Sequence, residues 1–120
     1  MIKSDTAAGL PAGIAAQLQA ELSQYPDVCQ AVLFGSRAMG THRPNSDIDL
    51  CLDAAAMPFP TYLQLAGTLD EMVLPYKLDL VLKEHIDNPD LLSHIQRVGV
   101  AVYQRAFPGP SVNSVAKKPL

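Results

Sequence analysis

Apolar residues recur at helical spacing in three stretches of the chain, and in three others they alternate or run together. From Leu10 to Gln24, Ile14, Leu18 and Leu22 return every four residues, and Ala15 and Ala16 widen the stripe. This predicts an amphipathic helix with Pro11 near its first turn and Tyr25-Pro26-Asp27 as a stop. Phe59 to Leu74 carries Tyr62, Leu63, Leu65, Ala66, Leu69, Met72 and Val73 at helical spacing, bounded by Pro58, Pro60 and Pro75. Asn88-Pro89-Asp90 opens a third helix whose apolar face is Leu91, Leu92, Ile95 and Val98, with Gly99 as its stop.

The other runs read as strands. Val28 to Phe34 is short and apolar, ended by Gly35. Asp47 to Asp53 alternates strictly, so Ile48, Leu50 and Leu52 share one face and Asp47, Asp49, Cys51 and Asp53 the other. Lys77 to Leu82 is a third strand, with Asp79 inside it. Ser36 to Met39 predicts a brief helical turn closed by Gly40, and the polar Thr41 to Ser46 a loop. Val100 to Tyr103 suits either a short edge strand or an extended packing segment. A single domain is expected over residues 1–106, with a flexible tail over 107–120.

Helices and strands alternating in this order predict an α/β (α+β) fold, a small mixed sheet flanked by helices. The link between the first two strands is too short for a parallel crossover through a full helix. That pair is therefore expected to be antiparallel or irregular.

Composition narrows the class. The 120 residues suffice for one core, and 48% hydrophobic with 18% charged content fits a soluble globular protein. No apolar stretch approaches the roughly 20 residues needed to span a bilayer, and Met1 to Leu10 has no apolar run of the signal-peptide kind. Cys29 and Cys51 each lie in an apolar run and are expected to be buried, reduced thiols of a cytoplasmic protein. The net charge of −3 argues against a protein that coats nucleic acid, though a small nucleotide site remains open to it.

The candidate chemistry lies between Gly35 and Asp49. A phosphate needs donors that approach closely. Gly35 has no side chain to hold an oxygen away, and Ser36 adds a hydroxyl at the start of a turn whose N–H groups are free. Alone, such a step is no more than a turn. Beyond ten intervening residues after Ser36 come Asp47 and Asp49, whose Cα atoms should lie about 6.5 to 7 Å apart on one strand face. Taken alone, two such carboxylates mark a solvated strand face. At this spacing from the Gly-Ser step, a divalent cation bridging carboxylates and phosphates is the more economical account. Asp79 adds a third carboxylate, which a neighbouring strand would bring near the pair. The competing readings for Asp79 are an ion pair with Lys77 or a loop arginine, or an edge strand with a wet face.

The run Gly35-Ser36, ten residues, Asp47-Ile48-Asp49 resembles the signature of the polymerase-β-like nucleotidyltransferase superfamily, and within it the minimal nucleotidyltransferases. The similarity extends over about Val28 to Tyr103. The resemblance implies that Asp47, Asp49 and Asp79 are catalytic and hold metal, two Mg²⁺ ions in all. It also implies that Gly35, Ser36 and Arg37 bind the nucleotide phosphates. The reaction implied is transfer of a nucleoside monophosphate, AMP from ATP, to a hydroxyl. Chains of this size resemble the antitoxin half of two-gene systems whose partner is a HEPN-domain protein, and there the acceptor is a tyrosine of that partner. A binding module that neutralises its partner by contact alone and an antibiotic adenylyltransferase are the alternatives. Arg43 and His42 rank lower, as solvent-facing loop residues. His85 and His94 are too scattered to share a metal, and Tyr62 and Tyr103 read as packing residues.

Overall fold

A computed structural model describes residues 9–105. The tail expected over 107–120 lies outside them. The elements run α1 (Ile14–Leu22), β1 (Gln30–Phe34), α2 (Gly35–Met39), β2 (Ile48–Asp53), α3 (Phe59–Met72), β3 (Leu78–Leu82), a 3-10 turn (Lys83–His85), α4 (Pro89–Val98) and β4 (Val100–Gln104). The four strands form one sheet in the order β3-β2-β1-β4. β1 is antiparallel to both β2 and β4, and β2 is parallel to β3. The short 35–47 link does return antiparallel, whereas α3 supplies the crossover that a parallel pair requires. Val100–Gln104 resolves as an edge strand.

Alternation in the strands divides the core in two. Ile48, Leu50 and Leu52 join Ala31 and Leu33 on the face covered by α1 and α3, through Leu18, Leu22, Leu65 and Leu69. Val32, Phe34 and Cys51 face the other way, against Ile95 of α4. That second face is only partly covered, and its open part carries the carboxylates. α4 begins as its sequence dictates, with the Asn88 side chain accepting the Asp90 N–H and Pro89 in the first turn. Both sheet edges are engaged by helix side chains. Gln19 donates to the Val102 carbonyl on β4, and the Tyr62 hydroxyl donates to the Leu80 carbonyl on β3. Among the described residues no helix is long and apolar enough to cross a membrane.

One expectation about the cysteines needs correcting. Both are free, but only Cys51 is buried. β1 begins at Gln30, so Cys29 lies in its lead-in. There the backbone pairs with Asp53 and Arg105 while the side chain faces solvent.

Candidate active site

The site forms where β1 ends and where β2 and β3 begin. β1 stops at Phe34 because Gly35 turns the chain at a φ of 72°, a left-handed conformation that costs L side chains roughly 1–2 kcal/mol. A Cβ at this position would overlap Oδ2 of Asp49. The Gly-Ser step therefore lies directly against a carboxylate, and a larger residue there would force the Asp49 side chain to shift. Ser36 follows in the first turn of α2, and its carbonyl accepts the Gly40 and Thr41 N–H groups that close the turn.

The parallel register sets Asp49 opposite Asp79. The two carboxyl groups stand close enough to interact, and Asp47, one residue ahead of β2, adds its charge. Burial first, then the charges of Asp79 and Asp47, then the hydrogen bond with Asp79 raise the Asp49 carboxyl from 3.8 to about 6. Asp49 is half-buried, and Asp47 and Asp79 are exposed. β3 is an edge strand, so the wet-face reading of Asp79 holds together with its adjacency to Asp49. Lys77 makes no ion pair with Asp79 among the described residues, where the observed salt bridge joins Lys83 to Asp53 at 3.7 Å.

Arg37, which the resemblance assigns to the phosphates, is bonded to backbone carbonyls. It is only 4% exposed. Its Nε and Nη2 donate to the Ser46 carbonyl at 3.1 and 3.0 Å, Nη2 also to the Pro44 carbonyl at 3.1 Å, and Nη1 to the Gly9 carbonyl at 2.7 Å. The guanidinium also lies 5.3 Å from the Tyr76 ring centroid. The side chain reaches the carbonyls of the 41–46 loop. It ties the segment that leads into Asp47 to the body of the fold. Sequence spacing alone does not reveal that direction.

A residue that sequence reasoning set aside does reach the turn. Nε2 of His94, on α4, accepts the Gly35 N–H at 3.2 Å. The sole sequence signal was its place on the helix that covers Phe34. The first amide of α2 meeting a ring 59 residues away follows from packing, not from local pattern.

The Polymerase beta, Nucleotidyltransferase family matches residues 16–107. The chain belongs to that family. The match spans the whole sheet, the Gly-Ser turn and all three aspartates of this nucleotidyltransferase domain. Among solved structures, a toxin–antitoxin complex with AMP-PNP is 26% identical, with a TM-score of 0.62 over 77% of this chain and 74% of that one. The MntA–HepT toxin–antitoxin is 22% identical with a TM-score of 0.57, over 77% and 71% of the two chains. A complex of a tri-AMPylated Shewanella oneidensis HEPN toxin with an MNT antitoxin is 21% identical with a TM-score of 0.57, again over 77% and 71%. These last two share the fold. No curated protein matches the chain.

Two consequences of this geometry are measurable. In metal-free protein, Asp49→Asn should melt a few degrees above the unsubstituted domain at pH 7.5. The sign follows from linkage. A carboxyl raised to about 6 from 3.8 binds its proton more tightly in the folded state. Its charge therefore disfavours folding fully above about pH 6, and that cost fades as pH falls toward the ordinary value. The difference in melting temperature should shrink steadily between pH 6 and pH 4. Gly35→Ala should lower nucleotidyl transfer by about 100-fold, because either the turn or Asp49 must move. It should also cost about 1–2 kcal/mol of stability from the left-handed backbone alone. Steady-state transfer rates and urea titration read the two effects separately.

Proposed function

We propose that this nucleotidyltransferase moves AMP from ATP, with Mg²⁺, to a tyrosine hydroxyl of a HEPN-type partner protein, and so acts as the antitoxin of a two-gene pair. The observation that carries the reading is the register of β2 on β3. It brings the carboxyls of Asp49 and Asp79 together at the edge of the Gly35 turn. It is supported by the complex with AMP-PNP, and by the shared fold of an MNT antitoxin bound to an AMPylated HEPN toxin.

The donors suit Mg²⁺, since the cluster offers carboxylate oxygens and neither sulfur nor imidazole. Burial, and after it the charges of Asp79 and Asp47, raise the Asp49 carboxyl to about 6. Among the described residues no three such side chains converge closely enough to chelate an ion unaided. That accords with Mg²⁺ sites in which substrate phosphates and water complete the shell. Asp47, Asp49 and Asp79 would hold the ions, which stabilise charge on the phosphoryl oxygens.

The chain's own groups divide the remaining work. β1 and α2 flank β2 on one side and β3 on the other. The amides of Gly35 and Ser36 therefore take the phosphates, and the acceptor hydroxyl enters beside Asp79 on the β3 side of the sheet. Its oxygen bonds to the α-phosphorus, the bond to pyrophosphate breaks in line, and Asp79 receives the hydroxyl proton. Arg37 keeps the 41–46 loop, and through it Asp47, in place.

Co-expression of the chain with its HEPN-type partner tests the role. Intact-mass analysis should show AMP added to the partner, mapped by fragmentation to tyrosine, and none when Asp79→Asn replaces the natural chain. A partner that is captured and silenced without any gain in mass would instead make the chain a binding module.

A further inference from the structure

The Gly35 N–H is an N-terminal amide of α2, and the cap residue Phe34 offers it no side-chain acceptor. The acceptor comes from His94, whose Nε2 lies 3.2 Å away. An accepting Nε2 means that the ring proton is on Nδ1. The imidazole stands edge-on to Phe34, with centroids 6.2 Å apart and planes at 83°. The neighbouring Ile95 is anchored against Val32, Phe34 and Cys51, which fixes the backbone of α4 over the end of β1. The same glycine also lies against Asp49. The Gly-Ser turn is thus held between an imidazole and a carboxylate.

We propose that His94 is the group a nucleotide phosphate displaces. It is a positioning residue that holds the Gly35 amide until it yields it to a phosphate oxygen. This rests on the reading of Gly35 and Ser36 as the phosphate-binding step. One N–H directed at a ring nitrogen is not available to an incoming oxygen, so a phosphate that uses this amide must break the bond to His94. The exchange is favourable, because a bond to a charged oxygen is roughly twice as strong as one between neutral groups. Ile95 keeps α4 seated, so the change requires only rotation of the imidazole about its side-chain bonds. His94 therefore lowers nucleotide affinity by the strength of one hydrogen bond, and in return the turn stays set for the ligand.

Titration with AMP-PNP and Mg²⁺, followed by calorimetry and by ¹⁵N NMR of the imidazole and the Gly35 amide, tests this. In the natural chain, saturation should move the His94 Nε2 and Gly35 resonances together. His94→Phe keeps a ring against Phe34 but offers no acceptor, and should bind AMP-PNP about 3- to 10-fold more tightly. His94→Gln, which presents an amide oxygen instead, should stay near the natural affinity. Resonances that do not move at saturation would overturn the proposal, and this arm needs no variant. His94→Phe binding no more tightly than the natural chain would overturn it equally. If neither the natural chain nor the variants bind AMP-PNP, the phosphate-binding reading of the turn fails, and the proposal fails with it.

Discussion

Asp79→Asn is expected to reduce AMP transfer by about 10³-fold or more, the equivalent of about 4 kcal/mol of transition-state stabilisation. The substitution keeps the shape of the side chain and removes one charge. Because Asp79 is exposed on an edge strand, the fold should be unaffected. Three losses combine at the site. The cluster has one carboxylate fewer for Mg²⁺, the acceptor hydroxyl loses its proton acceptor, and Asp49 loses a charged neighbour. The last loss has its own signature. Two of the causes that raise the Asp49 carboxyl to about 6 come from Asp79. In the variant the Asp49 carboxyl should therefore titrate closer to 3.8, while burial and Asp47 keep it from returning fully. Carboxyl ¹³C NMR titration of metal-free protein reads that shift independently of turnover. Normal transfer by Asp79→Asn would remove this residue from the site. An unshifted Asp49 would show that the two carboxyl groups do not interact in solution.

Arg37→Ala carries the largest expected effect on stability, a loss of about 3 kcal/mol or more. The guanidinium satisfies the carbonyls of Gly9, Pro44 and Ser46, and it is almost wholly buried against Tyr76. Deleting it leaves partly buried bonds to three backbone carbonyls unmade and a space where the buried guanidinium lay, each among the costly classes of change. For a domain of this size, about 3 kcal/mol corresponds to a drop of roughly 15 °C in melting temperature. Arg37→Lys should recover only a small part of this. An ammonium keeps the charge but cannot reproduce a planar fork that reaches carbonyls on two segments. Thermal melts followed by circular dichroism measure the effect. If the melting temperature were unchanged while KM for ATP rose sharply, Arg37 would be a phosphate ligand after all, as its place beside Ser36 suggests in the sequence.

These two residues show what the chain reveals before it is folded and what it does not. Asp47 and Asp49 announce themselves because strand alternation is local: two polar positions one residue apart must share a face. Asp79 was legible as a carboxylate in an apolar strand, and the α3 crossover makes its parallel placement beside β2 a short step. The direction of Arg37 was not legible. It depends on how α2 rolls against β1 and on where the 41–46 loop passes, and both are tertiary facts. His94 was hidden for the same reason, since its contact with Gly35 joins positions far apart in sequence through the packing of α4. Cys29 illustrates the weakness of apolar runs as a guide to burial at their ends, where a strand's lead-in exposes alternate side chains. Helix ends were plain where they carry explicit signals, as at Asn88-Pro89 and Gly40. The C-terminal strand was ambiguous because four apolar residues fit either extended state.

The role assigned to the acidic cluster meets its most direct test in one reaction. Purified chain and its partner are incubated with ATP labelled at the α-phosphate, over a range of Mg²⁺ concentrations, while released pyrophosphate is measured. The account predicts label on the partner in equal amount to pyrophosphate, none without Mg²⁺, and none with Asp79→Asn. Label that appears without Mg²⁺, or that persists in the variant, would contradict it.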